Sequence, residues 1–113
     1  MERLYIRAED FFQKTAGCRK LRSEEELVLA ARMSKGDAEA REALIRGYLP
    51  HVAAAIRRMP HEYQTLELVM RCITALEKAV DRFDFTQSGE RFSHRLSWVL
   101  RQTTIAYTAD KRT

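Results

Sequence analysis

Five residues near the C-terminus share one face of a helix. Arg91, Arg95, Trp98, Gln102 and Ile105 step by four, three, four and three, which at about 100° per residue makes a continuous stripe. Arg101 lies at its edge. Guanidinium groups hold phosphates, and an indole stacks on an unpaired base or wedges against the last base pair. The glutamine amide offers both a donor and an acceptor to a base edge. Such a stripe suits single-stranded or melted DNA. A lone tryptophan in a small helical domain, however, more often fills the core, and arginines one turn apart are usually a solvated face. Periodicity leaves both placements open.

Other chemistry has little support. His51, His61 and His94 are scattered, and Cys18 and Cys72 form no Cys-x-x-Cys pair, so no metal-ligand spacing is present. The thiols are expected to be free in a reducing compartment. Cys72 falls on the apolar side of its helix and is expected to be buried and inert. No glycine-rich phosphate loop and no Ser/His/Asp or Cys/His constellation stands out. Neither an enzyme, a cofactor nor a metal is expected. The net charge of +4, from 20 basic and 16 acidic side chains, permits a phosphate-binding face without demanding one.

The elements that must position the stripe are helical. The 113 residues suffice for one domain. Only 4 glycines and 2 prolines interrupt a chain rich in Ala, Leu, Arg and Glu. No apolar run approaches the ~20 residues that span a bilayer, and the Met1 to Arg7 segment lacks the pattern of a signal peptide. A cytoplasmic location without membrane association is expected. A first helix is expected over Glu2 to about Thr15. Ser23 with Glu26 has the form of a capping box, predicting a helix from Glu24 with Leu27, Ala30, Ala31 and Ser34 on one face and a stop at Gly36. Asp37 caps the next helix. Pro50 predicts a kink or break at Gly47-Tyr48-Leu49, with helix resuming until Pro60. Beyond Thr65, residues Leu66, Val69, Met70, Ile73, Leu76, Val80 and Phe83 form an apolar stripe. A polar loop over Asp84 to Gly89 leads to a last helix from Phe92-Ser93 to about Ala109, with Phe92, Leu96, Val99, Leu100 and Thr103 facing inward.

Several segments, in order along nearly the whole chain, resemble the sigma-70 family of bacterial RNA polymerase sigma factors. Lys78-Ala79-Val80-Asp81-Arg82-Phe83-Asp84 is similar to the family's Lys-Ala-Val-Asp-Lys-Phe-Asp. Arg91-Phe92-Ser93 matches its Lys-Phe-Ser, Trp98-Val99-Leu100-Arg101-Gln102 its Trp-Trp-Ile-Arg-Gln, and Ala109-Asp110 the Ala-Asp that follows. Leu4-Tyr5-Ile6-Arg7, and Leu21 to Leu27 through Lys35-Gly36-Asp37, resemble region 1.2. The resemblance implies an all-α compact helical bundle of the sigma region 2 type, a single domain over 1–113. Residues 1–36 would be region 1.2-like and 37–113 region 2-like. It implies a transcription initiation factor that binds the RNA polymerase core, through a coiled coil on the largest subunit, and the single-stranded −10 element of promoter DNA. On the DNA side it points to Arg91, Phe92, Arg95, Trp98, Arg101, Gln102 and Ile105. On the polymerase side it points to Leu66, Glu67, Met70, Arg71, Ile73 and Glu77. No helix-turn-helix for the −35 element is legible, so a second protein supplying −35 recognition is a further expected partner.

The departures from the pattern point elsewhere. Where the family reads Asp-Leu-Ile-Gln-Glu-Gly and then Asn, this chain reads Glu67-Leu68-Val69-Met70-Arg71-Cys72 and then Ile73. Arg71 puts a cation where a basic partner expects a carboxylate, and like charges in close contact cost several kcal/mol. Arg95 stands where the family places a base-capturing tyrosine, Val99 replaces a second tryptophan and Glu90 another aromatic. One residue is inserted within Thr86 to Gly89. These changes support an alternative: a sigma-like fold kept as a protein-interaction module that regulates transcription without melting promoters, its apolar Met70 and Ile73 meeting another helix groove or a second copy.

Overall fold

Asp37 starts the central helix: its carboxylate accepts from the amides of Glu39 and Ala40 at 3.0 and 3.1 Å. The computed structural model describes residues 5–86 and 89–112. Their elements are α1 (Ala8–Ala16), α2 (Ser23–Ser34), α3 (Ala38–Arg57), a single 3₁₀ turn (His61–Tyr63), α4 (Leu66–Arg82) and α5 (Phe92–Arg112). The described residues contain no strand, and the architecture is the expected all-α bundle. Helix α3 packs against each of the other four helices.

The first helix starts later than expected. Glu2 to Leu4 lie outside the described residues, and the Asp10 carboxylate, accepting from the Ile6 and Arg7 amides, fixes the first turn at Ala8. Helix α2 is capped one residue earlier than the Ser23/Glu26 pattern proposed. Glu25, held by two hydrogen bonds from Arg19, reaches back to the Arg22 amide at 3.0 Å. Arg19 together with that amide lowers the Glu25 carboxyl to about 2. This frees Glu26 to accept from the Tyr48 hydroxyl on α3. The expected face of α2 shifts accordingly. Ala30 is buried with Leu29 and Met33 packed around it, whereas Leu27 is exposed. Gly36 does end this segment, with φ of 90°, a conformation that costs a residue without Cβ little.

Pro50 does not break its helix. Helix α3 runs through it without interruption. Proline has no amide proton to donate and its ring crowds the preceding turn, a cost of about 3 kcal/mol in an exposed helix. Burial of Tyr48, Leu49, Val52 and Ala53 on both sides of the proline offsets it. Gly47 serves a close approach. A Cβ there would stand 2.5 Å from Leu21 Cγ. Gly47→Ala is therefore expected to destabilise the protein by about 1 kcal/mol, overpacking of about 1–3 kcal/mol outweighing a helix-propensity gain of about 1 kcal/mol. Urea unfolding of this variant, with and without Leu21→Ala, measures it. Relief of the loss in the double variant identifies the clash.

Helices α4 and α5 each turn slightly from the expected register. Helix α4 buries Leu68, Val69, Cys72, Ile73, Leu76 and Val80, leaving Met70 exposed. Helix α5 buries Phe92, Leu96, Leu100, Thr104 and Tyr107, so Val99 and Thr103 give way to Thr104 and Tyr107. The Tyr107 hydroxyl lies 2.6 Å from Thr65 Oγ1, and Thr65 also caps α4 by accepting from the Leu68 amide. One pair of side chains thus fixes where α4 begins against the C-terminal half of α5.

Candidate nucleic-acid interface

The buried stripe of α5 dictates what its opposite side shows. With Phe92, Leu96 and Leu100 fully packed, residues half a turn away must project into solvent. Trp98 is 59% exposed and Ile105 51% exposed. Arg91, Arg95, Arg101 and Gln102 are exposed beside them. The placement left open by periodicity is therefore decided: the only tryptophan of the chain lies outside the core, flanked by cations.

Two of those cations are oriented by neighbours. Arg95 donates to Glu90 at 2.8 Å. Arg91 donates to Ser23 Oγ at 3.2 Å, linking the start of α5 to the first residue of α2. Both contacts are exposed, so they position the side chains without burying their charge, and a phosphate can compete for them. Arg101 makes no ion pair among the described residues.

Phe92 does not belong to this surface. Its ring is fully buried, 4.8 Å from Tyr48 and 5.2 Å from both Phe83 and Phe85, centroid to centroid. It anchors the first turn of α5 and cannot reach a nucleic acid from there. Beside Arg95, a groove of about 540 Å³ runs between α4 and α5. Ala75, Ala79, Phe83 and Val99 line it together with the cations Lys78, Arg82 and Arg95 and the Asp84 carboxylate. The one-turn spacing of Lys78 and Arg82 was the available signal for it, but the facing α5 wall was not legible.

The residues expected on a polymerase face divide. Glu67 and Met70 are exposed, while Leu66, Arg71 and Glu77 are partly so. Ile73 is only 3% exposed and belongs to the core. Glu67 accepts from Lys111 at 2.9 Å and from Arg71 at 3.0 Å. Lys111 chiefly, with Arg71, holds the Glu67 carboxyl below its ordinary range. Arg71 also donates to Asp110 at 3.0 Å and lies over the Tyr107 ring. The substituted cation therefore sits between two carboxylates, so its charge is offset within the chain. These contacts join residues 39 and 44 positions apart, beyond the reach of local spacing.

No protein-family model matches the chain. Over 92 residues, 80% of its length, it is 34% identical to the RNA polymerase sigma factor SigA of Listeria monocytogenes and to that of Listeria innocua. It is 35% identical over 92 residues to SigA of Clostridium acetobutylicum. The chain spans 24% of the length of each of these relatives. The similarity supports a relationship to the sigma-70 family over that segment.

Proposed function

We propose that this chain is a sigma-like transcription initiation factor whose α5 face engages the single-stranded −10 element while the exposed N-terminal part of α4 engages the RNA polymerase core. The observation that carries the reading is Trp98, 59% exposed at the centre of the Arg91, Arg95, Arg101 and Gln102 surface. It also sits in the segment that resembles the family's Trp-Trp-Ile-Arg-Gln. A second protein would supply −35 recognition, and the setting would be the bacterial cytoplasm. The role is one of binding rather than catalysis. Stacking on an exposed aromatic contributes about 1–3 kcal/mol per base. Trp98→Ala is therefore expected to weaken binding of a −10 non-template oligonucleotide by roughly 5- to 150-fold, with Trp98→Phe retaining most of it. Fluorescence anisotropy at fixed salt measures this. Equal affinity of wild type and Trp98→Ala removes the indole from the mechanism, and failure to co-purify with core polymerase removes the initiation role.

One observation favours a second reading, that of an interaction module without promoter melting. Met70 is 41% exposed beside the Glu67, Arg71, Asp110 and Lys111 ion pairs, an apolar contact where the family has an amide. If a pull-down recovers a non-polymerase partner that is lost on Met70→Glu, while promoter opening is absent in wild type, this module reading replaces the first.

A further inference from the structure

Helices α3 and α5 enclose a second cleft, of about 480 Å³, on the flank of α5 away from the α4 groove. Lys20, Arg58 and Arg101 line it, together with His51. Those three cations are exposed. No Asp or Glu is among the described residues lining the cleft, and none of the three makes an ion pair among the described residues. Several other cations, Arg19, Arg32, Arg41, Arg71, Arg95 and Lys111, each meet a carboxylate. Three uncompensated cations around one concavity concentrate positive potential there.

His51 adds a neutral donor. Its Nδ1 is sealed from solvent and has no hydrogen-bond partner. With no acceptor for a proton at Nδ1, the neutral ring carries its proton on Nε2, and His51 is one of the residues lining the cleft. Burial, assisted by the Lys20 charge, holds His51 below its ordinary value and so keeps the ring neutral. Arg101 is common to both surfaces, at the edge of the Trp98 face and in the wall of the cleft.

We propose that this cleft is a phosphate-binding site, with Lys20, Arg58 and Arg101 supplying charge and His51 Nε2–H donating to a phosphate oxygen. Its occupant is a backbone phosphodiester of the strand stacked on Trp98, carried past Arg101 into the cleft. That source rests on the function proposed above; the phosphate chemistry of the cleft does not.

The test compares Lys20→Ala/Arg58→Ala with Trp98→Ala in binding a single-stranded oligonucleotide across a salt series, circular dichroism confirming the fold of each. Each phosphate contact contributes about 0.7 to the log–log salt slope on a single strand. The double variant is expected to lower the slope by roughly 0.7–1.4, and Trp98→Ala to weaken binding at an unchanged slope. An unchanged slope in the double variant overturns the cleft site while leaving the Trp98 face standing. If wild type binds no single strand at all, the α5 reading fails, and inorganic phosphate decides the cleft by itself. A saturable shift of the His51 ring resonances on phosphate titration at low ionic strength, lost in the double variant, sustains it. No shift overturns it.

Discussion

Replacing Phe92 by alanine is expected to remove about 3–5 kcal/mol of stability, a large share of the ~5–15 kcal/mol that holds a domain folded. The ring has no solvent exposure and joins three parts of the molecule: Tyr48 on α3, Phe83 at the end of α4 and Phe85 in the following loop. The pairs with Tyr48 and Phe83 are edge-on, an arrangement that contributes about 0.5–1.5 kcal/mol beyond the area buried, and a cavity would be left in their place. Phe92→Leu, which keeps most of the volume, is expected to cost far less. Urea or thermal unfolding followed by far-UV circular dichroism makes the comparison. A residue serving only the nucleic-acid surface would behave oppositely, losing oligonucleotide binding with stability within about 0.5 kcal/mol of wild type. That outcome would return Phe92 to the surface role its place in the motif suggested.

The same residue shows how far local pattern reaches. Spacing of four through Phe92, Leu96 and Leu100 suggests an inward side for α5, but the burial of that stripe is what decides the outward placement of Trp98. The step of four continues to Thr104 and shortens to three at Tyr107, because 3.6 residues per turn is not four and because Thr65, far away in sequence, supplies a partner for the Tyr107 hydroxyl. In α4 the signal was ambiguous at its source. Leu66, Leu68, Val69, Met70, Cys72 and Ile73 are nearly continuous, and only tertiary packing selects Ile73 for the core and Met70 for the surface.

Capping of α2 had a similar ambiguity. Three consecutive glutamates offer adjacent registers for the reciprocal hydrogen bond, and Arg19 settles the choice by binding Glu25. Glu26 is then spent on Tyr48, a contact 22 residues away. Pro50 fails as a breaker for the reason local rules fail in general: they price one turn of helix, whereas α3 is flanked by partners along its length. The candidate site was legible as a stripe on one helix. Its grooves were not, since each needs a wall from another element.

Cys72 is expected to be about 1000-fold poorer in thiolate than an ordinary cysteine at the same pH. Burial pushes its thiol from 9.0 up to about 12, and each unit is a tenfold loss of the reactive form below both values. Its side chain is also shielded completely, at 0% exposure. Cys18, only partly buried and donating to the Lys14 carbonyl at 3.7 Å, has no comparable protection. An aromatic disulfide reagent at pH 8 should therefore titrate one thiol promptly, identified as Cys18 by its absence in Cys18→Ser. The second should appear only as the protein opens, at a rate set by stability, so Phe92→Ala should accelerate it while Trp98→Ala leaves it unchanged. The position makes this more than a burial check. Cys72 stands where the sigma pattern has glycine, between Arg71 and Ile73 on the helix proposed to meet polymerase. Prompt modification in the native state would mean that α4 turns this side outward, and the division between its core residues and its exposed Glu67 and Met70 would have to be redrawn.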